Sequence, residues 1–378
     1  MKPLVIKKVE FFMTGDENAY RPRWAQYLND IFTTNTICRI TTEDGYVGIG
    51  GTITYCEERF DPSMMETGIL YVPGLIGKSA LDREAIWSWM AQRPTLIPLP
   101  AISMIDIALW DIVGKYAKLP IYQLLGAARD KILSYASTPL FDTDDEYMDY
   151  IDMAKREGFT AIKVHPYTLY DKDIVLVDKI HERYGDSLTF MLDPDAQYSR
   201  EEAYKMANKL EAYGWTWFEA PLPDRDLEGY QYLIQHTHVP ISCGGNTLTS
   251  LMDINNGIKA GAWTDVRADV TVSGGFTPMK KIVSLAQANN MRCEIQSWGA
   301  TLTQAANLHM MLACSNCTYF EQAYPYEPFE IGAKSVIRTD KEGYVSLPEG
   351  YGLCIEMDWD EIERLTLKKY DSSEVNQK

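Results

Sequence analysis

The chain has 378 residues, 46% of them hydrophobic, and a formal net charge of −17 at pH 7. This hydrophobic fraction excludes an intrinsically disordered protein, and the length predicts two domains or one large barrel with an addition. The acidic balance argues against nucleic acid and anionic membranes as partners, because both repel negative charge.

The N-terminal sequence and the cysteines predict a cytoplasmic protein. The opening MKPLVIKKVEFFMTG lacks the apolar core of a signal peptide. No stretch approaches the ~18 to 20 apolar residues of a membrane span. Cys314 and Cys317 form a CxxC pair, but no second pair completes a zinc site. Two buried thiols are the simpler interpretation, and metal binding by this pair is the alternative.

The first 128 residues predict an α+β domain. Two strand-like segments, 36–41 and 46–49, flank Asp44-Gly45, a dipeptide typical of a hairpin turn. A helix is predicted over 80–92. A second helical pattern, AISMIDIALWDIVGKYAKLPIYQLLG, is broken by Pro120 and closed by Gly126.

From residue 131 onward, short strands alternate with helices. The strands read ILSYAS, AIKVHP, LTFMLDPD, WTWFEAP, PISCGG, DVRADV, RCEIQS and CTYFEQ. Helical runs at 144–157, 173–184, 200–213, 227–235, 249–260, 276–289 and 303–313 separate them. This repeat predicts an α/β fold, a modified (β/α)₈ TIM-type barrel over 129–332. Residues 1–128 would cap it, and 333–378 would pack back on that capping domain. A doubly wound sheet is the alternative.

Polar residues are concentrated at the ends of these strands. They are Lys163, His165, Asp193, Asp195, Glu219, Asn246, Asp269, Gln296 and Glu321. Barrel proteins carry their chemistry at the carboxyl ends of the strands, and residues two apart on a strand share a face. We therefore expect these side chains to surround one cavity. Charges solvated in separate loops are the alternative.

Several segments together resemble the enolase superfamily, and within it the mandelate racemase-like members. They are the hairpin TTEDGYVGIG, MIDIALWDIVGK with LPIYQLLG, AIKVHP, MLDPDAQYS, WFEAPLP and ADVTVSGGFTPMKKIVSLA. The resemblance covers nearly the whole chain. It implies an enzyme in which a base removes the proton α to a carboxylate and a divalent ion, usually Mg²⁺, stabilises the resulting enediolate.

The resemblance also implies a role for individual residues. Lys163 matches a lysine that helps to hold the substrate carboxylate, and His165 stands at the position of the base. Asp193 and Glu219 match the first two metal carboxylates. Glu321 matches a glutamate that hydrogen-bonds a substrate carboxylate oxygen. Histidine is a plausible base, since its reference pKa is about 6.5.

Two positions depart from the family pattern. Gly245 stands where the third metal carboxylate is usual, so Asn246 or Asp195 would have to replace it, and a site without metal is the alternative. Gln296 stands where the family often has a histidine, and glutamine cannot act as a general base or acid. Asp269, which matches the aspartate that orients that histidine, therefore lacks its usual partner. A two-base racemase is disfavoured.

Substrate contacts are predicted at the barrel mouth. The loop GDENAYRPRWAQY resembles the specificity loop of the family, so Tyr20, Arg23 and Trp24 are candidates to close over a polar substrate. Trp298 lies just past a strand end and could line the same pocket. An ordinary surface loop and core packing are the alternatives.

Taken together, these features predict a carbon–oxygen lyase, specifically a Mg²⁺-dependent acid-sugar dehydratase. Its partners would be a small-molecule carboxylate and, by analogy with similar barrels, further copies of the same chain. The strand 6 segment RADVTVSGG has no lysine, which disfavours the muconate lactonizing and dipeptide epimerase branch. A non-catalytic or metal-independent ligand-binding descendant is the first alternative, and a structural role through oligomer contacts is the second.

Overall fold

A computed structural model describes residues 3–27, 31–52, 60–92 and 98–375. Its first part contains β1 (Ile6–Arg21), β2 (Ile31–Thr42), β3 (Val47–Gly51), α1 (Phe60–Leu75), α2 (Arg83–Met90), α3 (Leu99–Ala117) and α4 (Ile121–Leu125). The three strands form an antiparallel sheet, and the predicted turn residues Asp44 and Gly45 lie between β2 and β3. Gly45 has a φ of 87°, a conformation that glycine adopts without strain.

The rest of the chain alternates between strands and helices. Its elements are β4 (Lys131–Ser137), α5 (Asp144–Glu157), β5 (Ala161–Val164), α6 (Tyr170–Tyr184), β6 (Thr189–Leu192), α7 (Arg200–Ala212), β7 (Phe218–Glu219), α8 (Leu227–His236), β8 (Ile241–Ser242), α9 (Leu251–Ala260), β9 (Asp265–Ala268), α10 (Phe276–Ala288), β10 (Arg292–Ile295), α11 (Thr301–Ala313), β11 (Tyr319–Ala323), β12 (Tyr344–Ser346), α12 (Trp359–Leu365), β13 (Thr366–Asp371) and α13 (Ser372–Val375).

Strands β4 to β11 form a curled parallel sheet. The order β10-β9-β8-β7-β6-β5-β4-β11 follows the chain, except that the last strand lies beside the first. A hydrogen bond connects the end of β10 to β11: the hydroxyl of Ser297, which follows β10, donates to the carbonyl of Glu321 in β11 at 2.8 Å. The predicted TIM-type barrel with an N-terminal capping domain is confirmed.

The C-terminal segment contacts both parts of the molecule. Strand β12 pairs antiparallel with β4 of the barrel, and β13 pairs antiparallel with β1, with Tyr370 opposite Phe11. Within the described residues, no helix combines the length and apolarity needed to cross a membrane. Cys314 and Cys317 are buried free thiols.

Local sequence fixes where barrel helices begin. Thr143 accepts a hydrogen bond from the Glu146 amide, and the Glu146 carboxylate accepts one from the Thr143 amide. Ser199 and Glu202 form the same reciprocal capping box at the start of α7. Each box satisfies amides that the first helical turn leaves without partners.

The interior of the barrel has an aromatic layer beneath its polar mouth. Tyr135 and Trp217 pack edge to face with ring centroids 5.6 Å apart, and Met191 completes the cluster with Ala161. Trp217 precedes Glu219 by two residues, so both point into the barrel at successive levels. The polar residues therefore rest on a rigid apolar floor.

A buried carboxylate joins the capping domain to the barrel. Asp106 on α3 accepts hydrogen bonds from the amide and hydroxyl of Thr277 on α10. A Cβ at Gly275 would lie 2.3 Å from Asp106 Oδ2, so only glycine allows this approach. Burial raises the pKa of Asp106 to about 7, although Thr277 and the more distant Arg83 oppose the rise.

The folded protein should lose stability as the pH rises from about 4 to about 7. Burial also raises the pKa of Asp173 to about 7, so the folded state retains protons on both aspartates that the unfolded state releases at lower pH. The free energy of unfolding, measured by urea titration at a series of pH values, should fall across this window. Asp106→Asn should flatten the dependence; an equally steep profile in this variant would contradict the assignment.

Candidate active site

Strand-end side chains surround one cavity at the carboxyl end of the barrel. The predicted residues that line it are Lys163, His165, Asp193, Glu219, Asn246, Gln296 and Glu321, together with Trp24 and Trp298. Asp195 belongs to the same wall, and the space not filled by atoms is about 410 Å³. The structure thus brings together residues from distant parts of the sequence, as the strand-end pattern indicates.

Lys163 is the centre of a buried ionic cluster. Its Nζ lies 3.2 Å from Asp193 Oδ2, 3.0 Å from Glu219 Oε1 and 2.7 Å from Glu321 Oε1. Burial disfavours its charge, but the carboxylates outweigh that effect and raise the pKa of Lys163 well above its usual value. An ammonium group has three donors. Lys163 is therefore a fixed cation and cannot serve as a proton acceptor.

A second cation, Arg267 on β9, lies beneath this cluster. Its Nε is 2.7 Å from Glu219 Oε1, and its Nη2 is 2.7 Å from Glu321 Oε2 and 3.2 Å from the Tyr135 hydroxyl. Only 1% of Arg267 is exposed. Burial raises the pKa of Glu321, but Lys163 and Arg267 outweigh this and hold it at about 2.

Two cations, Lys163 and Arg267, face three carboxylates in this cluster. Burial raises the pKa of Glu219 to about 7 against the opposing effect of Arg267 and Lys163. Burial also acts to raise the pKa of Asp193, but Lys163 and His165 outweigh it and hold the pKa below its usual range. Burial therefore favours the protonated form of Glu219, whereas the cations favour the ionised forms of Asp193 and Glu321.

His165 is oriented by the backbone. Its Nδ1 lies 2.7 Å from the carbonyl oxygen of Thr138, which can only accept, so Nδ1 carries the proton. In the neutral ring, Nε2 therefore has the free lone pair. Nε2 lies 3.3 Å from Asp193 Oδ2. A proton gained by Nε2 would be stabilised at once by this carboxylate, which is an arrangement suited to a general base.

Gln296, at one of the two departures from the family pattern, contacts the residue that follows the other departure, Gly245. Gln296 donates its amide to Asn246 Oδ1 at 2.9 Å. Asp269 is fully buried and accepts through Oδ1 from Thr271 and Asn307, whereas its Oδ2 has no hydrogen-bond partner among the described residues. Unlike the other predicted strand-end residues, Asp269 is not part of the described cavity lining, because its carboxylate is buried against Thr271 and Asn307. Gln296 lines the cavity and is held by its contact with Asn246.

The mouth of the cavity is aromatic. Trp24 and Trp298 pack edge to face at 4.9 Å, and Trp298 packs on Phe329 at 4.8 Å. The guanidinium of Arg23 instead lies 3.7 Å from Asp142, so the structure does not place Arg23 in the described wall of this cavity. The side chain of Tyr20 lies outside the described residues.

Sequence reasoning missed three residues that shape the site. Arg267 precedes Asp269 by two residues, so the strand periodicity that places one inside the barrel also places the other there. Thr138 follows the first barrel strand, but a role for its carbonyl leaves no sequence signal. Tyr27 donates to Asp195 Oδ2 at 2.5 Å from a loop whose position sequence alone does not define.

Named relatives act on sugar acids and their derivatives. A 3,6-anhydro-alpha-L-galactonate cycloisomerase of Streptomyces coelicolor is 30% identical over 344 residues, 87% of this chain and 90% of that protein. An L-talarate/galactarate dehydratase of Salmonella typhimurium is 29% identical over 307 residues, 78% and 71% of the respective chains. A solved Pseudovibrio sp. structure, assigned to the mandelate racemase/muconate lactonizing enzyme group, is 48% identical, with a TM-score of 0.94 and 97% and 98% coverage.

Magnesium occurs in solved relatives. A racemase from Streptomyces coelicolor, 25% identical with a TM-score of 0.85 over 96% of this chain and 100% of that one, has bound magnesium. In the present chain, Glu219 Oε1 faces two cations and its Oε2 accepts from Trp217 at 3.1 Å. Asp193 Oδ1 accepts from the Asp195 amide at 3.0 Å, and its Oδ2 faces Lys163 and His165. With Gly245 at the third position, these residues do not fit the three-carboxylate arrangement.

Two family models cover most of the chain. The mandelate racemase/muconate lactonizing enzyme N-terminal domain matches residues 31–126, and the enolase C-terminal domain-like model matches residues 147–361. The second match alone spans more than half of the sequence. The chain therefore belongs to the enolase superfamily, among its mandelate racemase/muconate lactonizing enzyme-like members.

Proposed function

We propose that this protein is a carbon–oxygen lyase that dehydrates a hydroxylated carboxylate of the acid-sugar class. The observation that carries the proposal is the setting of His165, which lines the cavity beside Lys163, with Nδ1 held by the Thr138 carbonyl and Nε2 3.3 Å from Asp193 Oδ2. Curated relatives that act on galactonate and galactarate derivatives support the substrate class.

The first step would be proton abstraction at the α-carbon. His165 Nε2 takes the proton, and the electrons of the C–H bond move into the carboxylate to form an enediolate. Positive charge that is already in place stabilises such an anion without reorganisation, and Lys163 supplies it at the cavity wall. Asp193 stabilises the imidazolium that forms.

The second step would expel the β-hydroxyl. The electrons of the enediolate form a carbon–carbon double bond as the carbon–oxygen bond breaks, and the hydroxyl leaves as water after gaining a proton. Asp195 lies in the cavity wall with His165, and we assign its carboxyl to supply that proton. The resulting enol tautomerises to a 2-keto acid.

A panel of aldonates and aldarates that differ in configuration tests this proposal. Each is incubated with the protein, with and without Mg²⁺, and 2-keto acid is measured as its semicarbazone. We expect product from one acid or from a few that share the configuration next to the carboxylate. Absence of product from the whole panel would contradict the proposal.

A non-catalytic ligand-binding protein is the second candidate. The observation that favours it is Gln296, which occupies a position where the family often has a histidine and instead hydrogen-bonds Asn246. The same panel separates the two functions when thermal unfolding is followed in parallel. A rise in the unfolding temperature without product would favour ligand binding, because any ligand that binds only the native state stabilises it.

A further inference from the structure

Gly245 packs closely against Arg267. Gly245 has a φ of 72°, and a Cβ built on it would lie 3.0 Å from Arg267 Cγ and 3.1 Å from the Arg267 carbonyl oxygen. A carboxylate side chain at this position would therefore require both a strained backbone and displacement of the arginine. The aliphatic part of the Arg267 side chain thus packs against Gly245, the position that usually provides the third metal carboxylate.

The same arginine engages the remaining carboxylates. Its guanidinium lies 2.7 Å from Glu219 Oε1 and 2.7 Å from Glu321 Oε2, while Lys163 lies within 3.2 Å of Asp193, Glu219 and Glu321. Burying a carboxylate without a partner costs free energy, and here Lys163 and Arg267 supply the partners. Arg267 therefore adds one positive charge to that of Lys163, which the family pattern already includes.

We propose that Arg267, together with Lys163, takes up the carboxylates that would otherwise hold a divalent metal, so that a substrate carboxylate binds to this chain without Mg²⁺. Lys163 lines the cavity and would face the ligand. Arg267 is a positioning residue beneath it, since its guanidinium pairs with Glu219 and Glu321, two of the carboxylates that Lys163 also contacts. The inference rests on the proposed function only for the type of ligand. Metal content and metal affinity can be measured without any substrate.

Mn²⁺ binding is the test. The full-length protein is treated with EDTA, dialysed and titrated with Mn²⁺, with free Mn²⁺ followed by electron paramagnetic resonance and thermal unfolding recorded with Mg²⁺ or EDTA. We expect the wild type to bind no stoichiometric Mn²⁺ at submillimolar concentrations and to show the same unfolding temperature in both buffers. One tightly bound ion per chain, or destabilisation by EDTA, would overturn the proposal.

Arg267→Met makes the test sharper. Removing the guanidinium leaves Glu219 and Glu321 with Lys163 alone, so this variant should gain Mn²⁺ binding and a Mg²⁺-dependent rise in unfolding temperature. Arg292→Met is the matched control: Arg292 is an ion-paired arginine on β10, bound to Asp265 at 2.7 Å, and its loss should create no metal site. A folded Arg267→Met variant that gains no metal affinity would count against the replacement; if it does not fold, the wild-type titration decides.

The outcomes are distinguishable from those of the dehydratase assay. Failure of every acid sugar to react would reject the proposed activity and leave the Mn²⁺ result intact. Dehydration that requires Mg²⁺ would confirm the lyase and reject metal replacement.

Discussion

Replacing His165 with asparagine is expected to lower kcat by roughly 10²–10⁴-fold, the usual contribution of a positioned general base. Asparagine keeps a polar side chain of similar reach but cannot accept the α-proton at any accessible pH. Ligand affinity should change little, because the fixed charge of Lys163 stays in the cavity wall. Single-turnover kinetics on an acid identified by the panel, with binding measured separately, checks both expectations.

His181→Asn is the matched control. His181 lies on α6 and stacks on Tyr213 with ring centroids 3.8 Å apart, away from the cavity-lining residues. This variant should retain wild-type turnover. A His165→Asn enzyme that keeps more than a tenth of wild-type kcat would show that another group removes the proton.

Lys163→Met is expected to lower the free energy of unfolding by about 3–5 kcal/mol, the cost of breaking a buried ion pair from one side. Methionine fills similar space, but Glu219 and Glu321 would then pair with Arg267 alone, and Asp193 would face only His165. The carboxylates would bind protons more readily in the folded state. The loss should therefore be larger near pH 8 than near pH 5, as urea unfolding at both values would reveal.

Lys155→Met provides the control for this experiment. Lys155 is exposed on α5, so its replacement should change the free energy of unfolding by no more than about 0.5 kcal/mol. A Lys163→Met variant as stable as this control at both pH values would mean that the ion pairs of Lys163 contribute little to folding, and would contradict their role in the buried cluster.

The barrel could be predicted from sequence because its signals are local. Strands such as AIKVHP and RCEIQS alternate apolar and polar residues, and α5 begins at a capping box that spans four residues. Strand β1 was not predicted. One of its edges pairs with β13, which is more than 350 residues away along the chain. Such pairing depends on the tertiary fold rather than on local pattern.

The site was predicted in composition but not in its contacts. Strand periodicity placed Lys163 and His165 at one mouth, yet no pattern reveals that Lys163 contacts three carboxylates or that Thr138 orients the histidine. The same periodicity could have placed Arg267 inside the barrel, because it precedes Asp269 by two residues. The homo-oligomeric assembly and the cytoplasmic location stay predictions, because they depend on contacts and context beyond one chain.

Proton exchange in deuterated buffer tests the account most directly. Acid sugars are incubated with EDTA-treated protein, and loss of the α-proton signal is followed by nuclear magnetic resonance. We predict exchange by the wild type without any added divalent ion and none by His165→Asn. Exchange that disappears with EDTA and returns with Mg²⁺ would contradict proton removal without a divalent ion. Exchange that persists in the His165→Asn variant would contradict the role of His165 as the base.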